Sequence, residues 1–385
     1  MFDRDKLNSD TPRVLLFSQR NIYEPEVWRG AVYELEEILR QIDRVEVISP
    51  RPEKWFKQRR SNAQRIGKYT GIILNPGIRK TRLNKYYDLF FAVCEKPTEL
   101  LNIDAVEGWR DHCKTSVCWL TELWVKEMPL YKSALRVLSK FDYVFLTYSQ
   151  SVDPVQKVVE TECSFLPPGV DSLFFCPYPD PSERLIDVLS MGRRQEHVHR
   201  VLLNMVKEKK LFYVFDTFHD MHTDNVEQHR LLMSNILKRS KILLVNPGKF
   251  DQPNESGNQS EMGFRYFEGM ASGAIMAGSE PRNDEFKKIF SWPDAVVRLP
   301  SDPEDVGEVI GELRRDLNRE AGIRKSNVMH SLLHHDWVYR WERVLKTAGL
   351  EPTSELLKRK TKLQDLARMV ENESKSGRES QRVVC

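Results

Sequence analysis

The chain has 385 residues, 40% hydrophobic and 30% charged, with a formal net charge of +3 and a mean hydropathy of −0.52. That length suffices for two domains with separate cores, and the composition fits a soluble globular protein. No apolar run reaches the roughly 20 residues that span a bilayer, and a charge this close to balance does not by itself call for nucleic acid. The opening MFDRDKLNSDTPR is charged and lacks an apolar centre, so it does not read as a signal peptide. Cys94, Cys113, Cys118, Cys163, Cys176 and Cys385 show no CxxC spacing. This speaks against a zinc site or a disulfide framework and for free thiols in a reducing cytoplasm.

In chain order, 13–18 (RVLLFS) is a first apolar strand, 27–42 a helix and 45–49 a second strand. The runs 71–74 (GIIL) and 87–93 (YDLFFAV) read as two more strands, and 116–120, 143–147 and 164–166 as the next three. Helices are expected at 130–139 and 152–161. Apolar strands alternating with amphipathic helices predict a parallel sheet covered on both faces. The proline-dense stretch 167–185 breaks the rhythm and is the expected linker.

The rhythm then restarts. Strands are expected at 185–190, 211–215 and 241–246, with helices at 196–208 and 226–238. A polar loop over 247–261 leads into GFRYFEGMASGAIMAG, residues 263–278. This segment predicts a helix opened by Gly263, a turn at Gly273 and a strand at 274–277. A last strand at 295–299 precedes helices at 305–318, 334–350 and 355–370. The charged, Ser-rich end is expected to be disordered. The domains expected are 1–178, 179–333, a closing helical segment 334–372 and a tail 373–385. Two α/β halves place a cleft between two sheets, and such sheets bind ligands at the carboxyl ends of their strands.

The 263–278 segment is the most informative part of the chain. A helix start without a bulky side chain is an anion site, because its first N–H groups are unpaired and the helix dipole is positive there. Glu268, about a turn and a half along, is placed to accept hydrogen bonds from a sugar diol. Diphosphate at one end and ribose at the other describe a nucleotide. An ordinary helix–turn–strand unit fits the same residues equally well.

These residues resemble a known family. MGFRYFEGMASGAIMAG is similar to the donor-site helix of GT-B glycosyltransferases of the glycosyl transferases group 1 type, closest to the CgeB-like, spore-maturation branch. SFLPPGVDSLFFCP (164–177) looks like the segment that ends the first domain, and SMGRR (190–194) sits where the second domain's first strand ends. HHDWVYRWERVL resembles the closing helix. The first half matches only in its rhythm.

The resemblance implies an α/β GT-B fold, two Rossmann-like domains with parallel sheets facing a central cleft. It also implies a hexosyltransferase-like enzyme moving a sugar from a nucleotide-sugar donor to an acceptor. The nucleotide would sit on the C-terminal domain and the acceptor on the N-terminal domain. Glu268 would take the ribose, while Gly263, Phe264 and Arg265 would meet the diphosphate near Gly192. Arg194 and Arg200 would stabilise the leaving charge. Relatives carry a second acid eight positions before the ribose acid. Here that position is Ser260, and Glu261 follows it as the candidate for the donor sugar. A sugar-nucleotide epimerase of the same fold and a non-catalytic nucleotide-sugar-binding protein remain alternatives.

A leaving diphosphate is stabilised either by a divalent cation on paired carboxylates or by helix N-termini and cationic side chains. Asp220, Asp224 and Asp251 are isolated and form no DxD, so the expectation is metal-independent catalysis with no cofactor beyond the donor substrate. For a base in the first half, Glu122 follows a strand, with Asp104 and Glu107 as further candidates. An acid favoured by the helix dipole explains Glu122 as well. Gln19 and Arg20 follow the first strand. His219, His222 and Asp224 invite a zinc reading that a solvated loop explains better. His197 and His199 stand just before Arg200 and suit exposed helix positions as well as phosphate contact. The basic stretches 51–60 (RPEKWFKQRR) and 78–85 (IRKTRLNK) interleave cations with aromatics. They leave an acidic acceptor, peripheral membrane association or nucleic acid open as partners beside a simple solvated helix. The expected location is cytoplasmic.

Overall fold

The computed structural model describes residues 11–217 and 221–382, the side chains of 373–382 excepted. The chain divides into two compact units. One ends at Pro167 and regains Trp341–Leu357, and the other comprises Pro168–Arg340 and the chain from Lys358.

The first unit is built on strands β1 (Val14–Phe17), β2 (Val45–Ile48), β3 (Tyr87–Cys94), β4 (Cys113–Leu120), β5 (Tyr143–Leu146) and β6 (Glu162–Phe165). They form one parallel sheet in the order β2-β1-β3-β4-β5-β6, with Val14 opposite both Val45 and Leu89. All four β1 side chains are buried. This explains its unbroken apolar run, because helices cover both faces of a parallel sheet. Phe90, Trp109 and Phe141 stack in the core at centroid spacings of 4.6 and 4.8 Å.

The second unit carries β7 (Ile186–Ser190), β8 (Tyr213–Phe215), β9 (Ser240–Val245), β10 (Ile275–Gly278) and β11 (Val297–Arg298). Its parallel order is β8-β7-β9-β10-β11. In both sheets the first strand lies between the second and the third, so the strand order reverses at β1/β3 and at β7/β9. Crevices at such reversals, outside the carboxyl ends, are where α/β sheets take ligands.

Three segments differ from expectation. The run 71–74 is not a strand: Gly71 ends the Phe56–Thr70 helix with φ +71°, Ile72 is exposed, and Asn75 Oδ1 accepts from the amides of Gly77 and Ile78 to close a turn. Sandwiched between a helix cap and a turn, the run has no sheet partner. The proline-dense stretch packs into the second unit. Asp171 caps a short Ser172–Phe175 helix, Phe175 is fully buried, and the Ser172 amide donates to Asp336 at 3.0 Å. At the other end, the Ser354–Arg382 helix continues through 373–382, where Glu, Lys and Arg favour helix despite their polarity.

A Leu317–His330 helix also lies where no element was expected. It buries only Ile323, Asn327 and Val328, so its apolar period is faint. Among the described residues no helix is long and apolar enough to cross a membrane.

Candidate functional site

The carboxyl edge of the second sheet gathers the residues that follow its strands. After β7 the chain turns at Gly192, whose φ of +88° suits glycine. The Gly192 amide donates to Asp216 Oδ2 at 2.9 Å, joining the ends of β7 and β8. Arg194 Nη2 donates to the Asp216 carbonyl at 2.6 Å, and its guanidinium lies 5.4 Å from the Phe215 ring. Gln195 Nε2 donates to Asn246 Oδ1 at 2.8 Å and to Ser279 Oγ at 2.7 Å, reaching the residues after β9 and β10. Arg193 pairs with Asp251 at 2.9 Å.

The Phe264–Ala271 helix runs between β9 and β10, so its N-terminus comes to this same edge. Tyr266 fixes it there by donating to the Ser279 carbonyl at 2.6 Å. The helix lies close on the sheet because Gly269 has no side chain: a Cβ would sit 2.7 Å from Leu243 Cδ2. Gly273, at φ +67°, ends it. Gly263 differs from both. It is the N-cap in an extended conformation (φ −95°, ψ 170°), with no side chain capping the first amides. A Cβ there would meet nothing within 4 Å. Neither backbone nor packing requires glycine, and its effect is open space in front of the first helical N–H groups.

Glu268, on the same helix, is buried between two arginines. One carboxylate oxygen pairs with Arg230 Nη1, and Oε2 accepts from Arg265 Nη1 at 2.7 Å. Burial pushes the Glu268 carboxyl up, but Arg265 and Arg230 outweigh it and hold it below the usual carboxylate range. Burial, followed by the charge of Arg265, lowers neighbouring His229. The sequence reading gave Arg265 and Glu268 separate tasks, whereas the structure joins them in one ion pair network with Arg230. Arg230 was missed. Its signal was a cation at i, with Met233, Ser234 and Leu237 at i+3, i+4 and i+7, all on the buried face of the Val226–Lys238 helix.

Three buried polar atoms here have no hydrogen-bond partner: Arg194 Nη1, Asp216 Oδ1 and His197 Nε2. Asp216 Oδ1 has only the Arg194 ion pair at 3.6 Å; buried polar groups are nearly always satisfied, so Arg194 Nη1 and His197 Nε2 call for partners the chain does not supply. His199, in contrast, is engaged with the Tyr213 hydroxyl at 3.0 Å.

The remaining expected residues fall elsewhere. Glu261 is fully buried, accepting from Gln259 Nε2 at 3.0 Å and Asn283 Nδ2 at 3.4 Å. Its neighbour Ser260 accepts from the Arg282 amide. Phe264 lies 6.2 Å from the Trp337 ring. Arg200 is 70% exposed and stands 3.6 Å from Glu196 on the helix surface, outside this set of contacts. His222 and Asp224 are exposed, and His219 and Asp220 lie outside the described residues. Among the described residues no three His, Cys, Asp or Glu side chains cluster as metal ligands. The five described cysteines are buried and unbridged, and Cys385 is outside the described residues.

In the first unit, Glu122 follows β4 at the carboxyl edge, where the Trp124 indole donates to Oε1 at 2.8 Å. Gln19 is buried, holding Asn102 at 2.9 Å. Arg20 pairs with Glu36 at 2.5 Å, Glu107 with Lys80 and Arg82, and Asp104 with Lys140. A pocket of about 510 Å³ lies beyond β1 and β2, lined by Asn21, Tyr23, Glu24, Pro52, Trp55 and Phe56 among others.

Comparison with known proteins sharpens this picture. Residues 194–346 match a family model described as Glycosyl transferase-like. No curated protein matches the sequence. Among solved structures, an α-glucosyltransferase in complex with UDP-glucose and DNA containing an abasic site is 10% identical, with a TM-score of 0.52 over 88% of this chain and 100% of that one. An α-glucosyltransferase with UDP and DNA containing an HMU base gives 11% and 0.51 over the same shares. The fold is GT-B. S. aureus TarM, solved with Fondaparinux, α-GlcNAc-glycerol and UDP, is 11% identical with a TM-score of 0.45 over 67% of this chain. The chain spans 55% of that protein's length. The matched segment begins at Arg194, in the loop after β7, and takes in Gly263, Arg230 and Glu268. It thus covers Arg194, Arg230 and the Gly263–Glu268 stretch at the carboxyl edge of the second sheet and none of the first unit's sheet.

Proposed function

We propose that the protein is a glycosyltransferase that moves a sugar from a nucleotide-sugar donor to an acceptor hydroxyl, holding the nucleotide at the carboxyl edge of the second sheet. The observation that carries this reading is the conjunction of an uncapped helix start at Gly263 with an unpartnered Arg194 Nη1 on the same sheet edge. Both are donors, and a diphosphate supplies the acceptors they lack. The glycosyl transferase-like match over these residues supports transfer ahead of epimerisation or mere binding.

In this reading negative charge develops on the departing diphosphate as the glycosidic bond breaks. The amides after Gly263 and the guanidinium of Arg194 are fixed in place to meet that charge, so catalysis needs no divalent cation. Glu268, kept ionised by Arg265 and Arg230, accepts from the ribose hydroxyls with lone pairs the arginines leave, since a carboxylate has about four acceptor sites. The two arginines thus orient the ribose acid. Glu261, fully enclosed by Gln259 and Asn283, holds the loop that delivers the chain to Gly263. On the first unit, Glu122 is placed to take the acceptor proton. A nearer kinship with the CgeB-like branch rests on the 263–278 motif, and a cytoplasmic site of action on the five unbridged thiols.

Calorimetry with UDP, GDP, ADP and TDP, followed by assay of diphosphate release from the matching sugar nucleotides, tests the reading. UDP-glucose is the first donor to try, since a GT-B relative binds it. Arg194→Ala is expected to weaken nucleotide binding about tenfold or more, the loss of one charge-assisted contact. Activity that survives EDTA supports metal independence, and its abolition removes that part. Absence of binding by every nucleotide would sink the proposal.

A further inference from the structure

We propose that the exposed face around the Phe56–Thr70 helix of the first unit docks on an anionic lipid bilayer, an inference independent of the glycosyl-transfer reading. Residues 51–85 hold eleven Lys and Arg and a single acid, Glu53, in a chain whose net charge is only +3. The fold concentrates this charge. Pro52 and Ile78 form an antiparallel bridge, and the Arg79 amide donates to the Arg51 carbonyl at 2.9 Å. The two basic stretches, separated in sequence, therefore lie side by side.

Acids from neighbouring elements neutralise part of the face: Glu24 pairs with Lys57, Glu53 with Arg59, Glu46 with Lys85, and Glu107 with Lys80 and Arg82. Among the described residues, Arg51, Lys54, Arg60, Arg65, Lys68 and Arg79 have no carboxylate partner in the structure's ion pairs, Arg60 lying instead over the Tyr23 and Phe56 rings. The five of these other than Arg60 carry charge that is complementary to a negative surface.

The same face is apolar where it need not be. Trp55, Ile66 and Tyr69 are 61%, 43% and 76% exposed, and Ile72 beyond the helix is 54% exposed. Ile66 and Tyr69, three residues apart on the helix, share one of its faces, and Trp55 and Ile72 lie at its two ends. Trp55 is held there at φ +75°, a conformation that disfavours a bulky side chain. The helix is anchored from its other side by small residues: Ala63 is buried, and a Cβ on Gly67 would come within 2.1 Å of Ser133 Oγ. Close packing through Ala63 and Gly67 leaves the larger apolar residues outward.

Phosphate-rich polymers would reward the cations and the aromatic rings but gain nothing from exposed isoleucines. A bilayer rewards all three, with Trp and Tyr at headgroup level, aliphatic side chains just below and Lys and Arg at the phosphates.

The test is co-sedimentation of the full chain with phosphatidylcholine vesicles and with vesicles containing about 30 mol% phosphatidylglycerol. Binding is expected only to the anionic vesicles, falling at high salt. The variant Ile66→Ser/Tyr69→Ser changes no charge and is expected to lower the partition coefficient at least tenfold, as is Arg65→Glu/Lys68→Glu, with thermal unfolding unchanged in both. A single-stranded oligonucleotide is the competing probe. No binding to anionic vesicles, binding unaffected by the serine variant, or capture of the oligonucleotide alone would each overturn the proposal.

Discussion

Gly263 is a position where fold and ligand make opposite demands. Its extended backbone is the ordinary N-cap geometry, and nothing occupies the space its side chain would fill. An aspartate there would accept from the amides of the first turn and sit at the positive end of the helix dipole. Gly263→Asp is therefore expected to raise unfolding stability by about 0.5–1 kcal/mol. The same carboxylate would occupy the donors and repel a diphosphate, lowering nucleotide affinity at least tenfold. Urea unfolding and calorimetry on one variant read both signs, and a variant that binds as tightly as the parent removes the helix start from the site. Glycine, helix and turn were legible in the sequence because they depend on local pattern. The Arg230–Glu268–Arg265 network was not, since it joins two helices and no spacing rule pairs them.

Glu36 shows residue chemistry of another kind. It lies against Ser18 and Arg20 after β1, and its burial outweighs Arg20 and raises its carboxyl to about 7. Arg20 keeps its proton more firmly, because its own burial is outweighed by Glu36 and Glu37. A carboxyl raised in the folded state binds its proton more tightly there than in the unfolded chain. Its stabilisation is fully present below about pH 4.5 and is lost as pH rises through 7. Glu36→Gln should remove that slope, changing the pH dependence of unfolding between these limits by on the order of 3 kcal/mol. Parallel slopes for parent and variant would contradict this.

Among elements, the strands were the easiest to read, because a doubly covered parallel strand is a bare apolar run bounded by turns. The failure at 71–74 has the same root: composition alone does not show that Gly71 is spent on capping a helix. The closing elements depend on a buried pair that sequence does not announce. Asp336 is fully buried, accepting from Ser172, from the Val338 amide and from Arg359 Nε at 2.8 Å, while Arg359 also holds Asp171 at 2.7 Å. Burial pushes the Asp336 carboxyl up and Arg359 draws it back. Arg359→Ala leaves that charge enclosed and unpaired, an expected loss of about 3–5 kcal/mol at neutral pH. The carboxyl of the variant escapes by protonating, so the deficit should shrink on acidification toward pH 5. Denaturant titrations at the two pH values check it, and an equal deficit at both would show that lost packing alone accounts for the effect.

At the scale of the whole molecule, the repeated strand–helix rhythm was enough to foresee two α/β units. It could not foresee that Trp341–Leu357 belongs with the first. An amphipathic helix advertises an apolar face without saying which core receives it. Here Trp341 donates its indole N–H to Asp43 at 2.8 Å and packs 5.2 Å from Phe91. The division into units gives the nucleotide assignment a global test. A ligand that binds only the folded state stabilises by RT ln(1 + [L]/Kd), about 2.7 kcal/mol at a hundredfold excess over Kd, and protects amides where it sits. Hydrogen exchange with a saturating nucleoside diphosphate is expected to slow peptides covering 186–217 and 240–282, most at the amides just after Gly263. Peptides over 14–48 should exchange as before. Protection confined to the first sheet would move the nucleotide to the other unit and take Gly263, Arg194 and Glu268 out of the site together.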